Sequence, residues 1–115
     1  MKQIIGQQGE VLIIKIDALP GAMLTRAVEK TAAGYIISHS ESGHHHVLTG
    51  GDVMERTSDV PAGMQILYAI LSEPQSLIQD APTPHDGFDL APGIYEFRLS
   101  REFNPFEEQA RRVAD

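Results

Sequence analysis

His39, Glu41, His44 and His46 follow one another in the order H-x-E-x-x-H-x-H around a Ser42-Gly43 pair, with His45 between the last two. Imidazole nitrogens and a carboxylate this close together form a donor set for Zn²⁺, Fe²⁺, Mn²⁺ or Ni²⁺, and donor type alone does not choose among them. A hairpin turning at Ser42-Gly43, where glycine supplies the positive φ that such turns need, would set Glu41 opposite His44, Ser40 opposite His45 and His39 opposite His46. Opposed residues share a sheet face with Cβ atoms about 4.5–5.5 Å apart. His39, Glu41, His44 and His46 would then crowd one face, and His45 would point to the other. Three of the four would hold an ion and the fourth would assist. A longer turn would shift this register. The competing reading is a polar hairpin, facing solvent or an interface, that is rich in imidazole. A purification tag does not fit three internal histidines. His85, in "PTPHDGF", is a further candidate ligand, while Asp86 and Asp89 beside it read as turn-formers.

The chain offers no phosphate-binding glycine loop, no nucleotide fingerprint and no persuasive Ser-His-Asp set. It has no cysteine, so neither a disulfide frame nor a thiolate site is available. Three function classes remain. The first is a metal-binding domain without catalysis, structural or metal-handling. The second is a metal-dependent enzyme in which the ion keeps an open position and Glu41 acts as base. The third is an adaptor or structural module without metal, whose histidines line a contact with a protein partner or with further copies of the chain. With no second catalytic group in view, the first is preferred and an enzyme is disfavoured.

Positioning these residues falls to short strands. Ten glycines and seven prolines in 115 residues imply many turns. "GEVLIIKID" is a Val/Ile-rich buried strand. "AMLTRAVEK" fits helix or strand, and its Gly and Pro flanks with Thr and Val favour strand; "GYIISHSE", "HHHVLTG", "DVMERTSDV", "MQILYAILS" and "QSLIQD" read as further strands, each bounded by Gly or Pro. "APTPHDGFDLAPG" reads as a loop, and "GIYEFRLSREF" alternates apolar and polar residues most cleanly. The closing "NPFEEQARRVAD" reads as a charged surface tail with a helical turn or two. About eight short strands at intervals of roughly ten residues predict an all-β barrel or sandwich, with residues 1–115 forming a single domain.

A net charge of −7, from nine basic and sixteen acidic residues, disfavours nucleic acid and anionic membranes as partners. The N-terminal stretch lacks the apolar core and cleavage site of a signal peptide, and "ILYAIL" is too short to span a bilayer. The expected location is cytoplasmic.

"QQGEVLIIKID" with Leu19-Pro20, "ISHSESGHHHV", "LAPGIYEFRLSREFNP" and "RRVAD" together resemble an uncharacterised family of small proteins from bacteria and their phages. Its pattern runs QGDVLL…LP…H-x-E-T-G-H-x-H…L-P-x-G-x-Y…Q-R-E-Y…R-R-V-x-D. The resemblance spans nearly the whole chain and matches Gln8, Gly9, Glu10, His39, Glu41, Gly43, His44, His46, Pro92, Gly93, Tyr95, Arg101, Glu102 and Asp115. Phe103 stands where the pattern has Tyr. Where the family shows an H-x-x-H stretch before L-P-x-G, this chain keeps only His85 and has Pro82 at the earlier place. That departure implies a small site rather than a large metal cluster. The resemblance implies the fold and the weight of the histidines, not a reaction. A looser similarity is to cupins, whose metal site has H-x-H before its glutamate; here Glu41 precedes His44 and His46.

Overall fold

The computed structural model describes residues 2–39, 45–79 and 87–100. Among them are ten strands: β1 (Gln3–Gln8), β2 (Val11–Ile16), β3 (Thr25–Ala27), β4 (Tyr35–Ser38), β5 (His46–Leu48), β6 (Asp52–Arg56), β7 (Met64–Leu71), β8 (Gln75–Gln79), β9 (Phe88–Leu90) and β10 (Gly93–Ser100). The expected all-β class holds, with two strands more than the sequence suggested. β1, "QIIGQQ", is poor in strand formers and is held by pairing with β2 through a register shift between Ile4 and Gly6. β9 lies inside the stretch expected to be a loop and is fixed by pairing with β8, Leu90 opposite Gln75. The predicted helical turn of the tail falls in residues 101–115, outside the described residues.

All pairings are antiparallel. One sheet runs β1-β2-β10-β7-β6-β3 and the other β4-β5-β8-β9. Strand alternation sends one side of each sheet into a shared core. Val11 and Ile13, Leu67, Ala69 and Leu71, and Tyr95, Phe97 and Leu99 come from the larger sheet, while Ile37, Leu48, Leu77 and Leu90 come from the smaller. One core drawn from two sheets is a sandwich arrangement rather than a single closed barrel.

The alternate residues of the larger sheet do not face open water. Ile14, Ile16, Ile66 and Tyr68 form a second buried cluster, covered in part by Leu19, Met23 and Val60 from the connections. This explains why "VLIIKI" and "MQILYAIL" read as nearly continuous apolar runs: both faces of these central strands are covered. Glu96 sits on the same outer face at 2% exposure, with Arg98 Nε 2.6 Å from one carboxylate oxygen and Lys2 Nζ 3.8 Å from the other. A buried carboxylate persists there because it is paired.

The chain crosses between sheets at "LAPGIY", from β9 to β10. Tyr95 is buried, and its hydroxyl donates to the Ala91 carbonyl four residues back at 2.7 Å. A tyrosine that clamps the backbone just upstream of its own strand is a recurrent device at corners between sheets. The Tyr95→Phe variant is expected to lose about 1 kcal/mol of stability, read as a lower midpoint in urea unfolding at unchanged m-value.

Candidate functional site

Gln8 pairs with Val11 across the β1–β2 turn, leaving Gly9 and Glu10 as a two-residue loop. Gly9 has φ 56°, the positive value that glycine supplies at the first position of such loops. Facing this turn is the start of β5. His46 lies two residues from the core residue Leu48, so alternation sends its ring inward as well. The ring is 3% exposed, and Gln8 and Ser38 beside it are buried. Four polar side chains from the β1–β2 turn, β4 and β5 thus meet at one corner of the sandwich.

The bonds within this corner fix its electronics. Gln8 Nε2 donates to the Leu77 carbonyl of β8 at 3.1 Å. A carbonyl only accepts, so the amide nitrogen lies on that side and the amide oxygen faces His46. Gln8 Oε1 is 2.7 Å from His46 Nδ1, which makes Nδ1 the protonated, donating nitrogen. The other ring nitrogen, Nε2, stands 3.3 Å from Glu10 Oε2. The Ser38 hydroxyl donates to the second Glu10 oxygen.

Burial pushes the Glu10 carboxyl up, but the Ser38 hydroxyl, the Glu10 backbone amide and the adjacent His46 ring together outweigh it and hold the pKa below the ordinary 4.5. Glu10 is therefore a carboxylate near neutrality. A neutral His46 with its proton on Nδ1 would turn a lone pair toward that carboxylate. Two acceptors so close repel, and the pair therefore draws a positive charge, either a proton on Nε2 or a metal ion.

Of the candidate ligands, His39 and His46 are described, as is His45, which was expected on the other face; Glu41, His44 and His85 lie outside the described residues. The strand register differs from the expected hairpin. His46 pairs with Ser38, not His39, and the register shifts between Ile36 and Ser38. An irregularity of one residue suffices, because side-chain facing has a period of two. His39 is exposed, and its ring meets that of His45 edge to face with centroids 5.2 Å apart. The structure thus brings together His39 with His45, and His46 with Gln8, Glu10 and Ser38. Among the described residues no group of three or more His, Cys, Asp or Glu side chains is placed to hold a metal ion; Glu10 and His46 make a pair. Reasoning from donor spacing missed Gln8, Glu10 and Ser38 as site residues. The one sequence signal for the first two was their place in the "QQGE" part of the family-like pattern.

Fold and site together define a two-sheet antiparallel β domain with a corner in which buried His46, Gln8 and Ser38 meet the exposed Glu10. The chain belongs to the family described as Domain of unknown function (DUF8820), whose model matches residues 7–100 and so takes in the entire corner. No curated protein and no solved structure matches it.

Two outcomes follow from this geometry. A Cβ on Gly9 would stand 2.9 Å from His46 Nε2, and the left-handed backbone is costly for alanine. Gly9→Ala is expected to destabilise by about 1–2 kcal/mol from the backbone alone, with a further loss as the pinned ring shifts, read by urea unfolding. The lowered pKa of Glu10 means that its contribution to stability is full above the unfolded value and is lost as pH falls through the folded one. In chelator-treated protein, the stability gap between wild type and Glu10→Gln is expected to close on acidification through and below pH 4.5.

Proposed function

We propose that this is a metal-binding β domain, non-catalytic, whose site is built on His46 Nε2 and the Glu10 carboxylate. The observation that carries this reading is the 3.3 Å approach of that nitrogen to that carboxylate, with Nδ1 already engaged by Gln8. The donor set was tested against the distances that a metal needs. With Zn–N about 2.0–2.1 Å and Zn–O about 2.0–2.2 Å, two ligands at the tetrahedral angle stand about 3.3–3.5 Å apart. The observed separation fits. A ring whose other nitrogen donates to an amide oxygen is the usual dressing of a metal-bound histidine. Imidazole with carboxylate suits Zn²⁺, Fe²⁺, Mn²⁺ or Ni²⁺.

This reading keeps His46 from the set inferred from sequence and adds Glu10. His39, Glu41, His44, His45 and His85 are the candidates for the remaining positions. A metal here would tie the β1–β2 turn to β5, and so one sheet to the other, which favours a structural or metal-handling role over turnover. A second reading rests on the same 3.3 Å contact, which is also an ion-pair distance: a protonated His46 would clasp the sheets without metal.

The test is calorimetric titration of metal-stripped protein with each of the four ions, with elemental analysis of the dialysed product. Stoichiometric binding in wild type, lost in both His46→Ala and Glu10→Ala, is the expected result. Loading at about 100 times Kd should raise stability by about 2.7 kcal/mol. No binding of any of the four ions leaves the proton clasp, and binding that survives both substitutions removes the corner as the site.

A further inference from the structure

The corner contains a residue that reaches no ligand itself yet decides which nitrogen of His46 a ligand would meet. Gln8 is buried on β1, in the larger sheet. Its amide is held from two sides: Nε2 donates to the Leu77 carbonyl in the smaller sheet, and Oε1 accepts from His46 Nδ1. The Leu77 contact is with backbone inside a strand, so rotating the amide would set a carbonyl oxygen against a carbonyl oxygen. We propose that Gln8 is a positioning residue that fixes the neutral His46 ring with its proton on Nδ1, leaving Nε2 as the open donor atom of the site. For its consequence in metal binding, though not for the proton's place, this rests on the reading above.

The proposal has content because the ring's other neighbour favours the opposite tautomer. Glu10 Oε2, 3.3 Å from Nε2, is an acceptor. Left to Glu10 alone, a neutral imidazole would carry its proton on Nε2 and donate it to the carboxylate, which blocks the nitrogen that faces the site. The two neighbours therefore compete for one proton. Gln8 has the shorter contact, at 2.7 Å, and an orientation locked from the far sheet. The assignment also ties site assembly to the fold. The amide points correctly only when β1 lies against β8, so the ligand-ready nitrogen exists only after the two sheets have closed on each other.

The test places ¹⁵N in the histidines of the full-length, metal-stripped protein and records two-bond proton–nitrogen correlations over rising pH until the His46 ring signals stop moving, where the ring is neutral. That spectrum shows which ring nitrogen bears hydrogen. The expected wild-type result for His46 is hydrogen on Nδ1 alone. Gln8→Leu should move it to Nε2, and Gln8→Met, which removes the acceptor while staying closer to glutamine in shape, should do the same. Hydrogen on Nε2 in the wild type, or on both nitrogens, overturns the proposal, as does an unchanged pattern in Gln8→Leu. If Gln8→Leu does not fold, the wild-type spectrum and Gln8→Met decide by the same criteria. Zinc titration of the same samples separates the two claims. A roughly 10–100-fold weaker affinity in Gln8→Leu is expected, and a null titration in every sample with the tautomer pattern intact sinks the metal reading while leaving the role of Gln8 standing.

Discussion

Burying the His46 ring between two sheets obliges the chain to pair Nδ1, because an unpaired polar group there costs about 1–3 kcal/mol, and it leaves Nε2 facing Glu10 across a gap that a proton or a metal ion can bridge. Nearly everything at this corner follows from that demand. Gln8 meets Nδ1 and anchors itself on Leu77 of the opposite sheet. Glu10 comes up to Nε2 and is in turn held by Ser38. Gly9 lets the turn approach so closely that a methyl group on it would press on the ring. The sheets share a core, and at this end they also share a polar network, in which each member's orientation depends on the next.

A similar rule governs the buried carboxylate on the outer face. Glu96 lies on the outer side of the larger sheet among Ile14, Tyr68 and Ile94, and it is tolerated because Arg98 and Lys2 reach its two oxygens. The two places differ in what they leave open. At Glu96 the carboxylate meets permanent cations. At the His46 corner the carboxylate faces a nitrogen whose charge depends on what binds it, and that difference makes the corner the candidate site.

Much of the architecture was legible in the chain. Gly and Pro spacing announced short strands, and the apolar runs "VLIIKI" and "MQILYAIL" marked the central ones. β1 and β9 were not legible, since Gln-rich or three-residue segments become strands only through the neighbour that pairs with them. The "LAPGIY" corner had a readable signal that strand periodicity alone passes over. At the site, His46 was legible from donor spacing, but its partners were not. Gln8 and Glu10 are 38 and 36 positions away along the chain, and no local periodicity links a β1–β2 turn to the first residue of β5.

By itself, then, the sequence determined the all-β class, the central strands and the concentration of imidazole between residues 39 and 46, because composition, turn residues and alternation act over a few neighbours. Only the tertiary structure decided which histidine is buried and what it meets. Facing on a strand reverses with each one-residue step. The shift between Ile36 and Ser38 therefore set His46 opposite Ser38, where the register of Tyr35 with Leu48, carried on unbroken, would have set His45. The ring's chemistry comes from packing across two sheets, which no short stretch of sequence encodes.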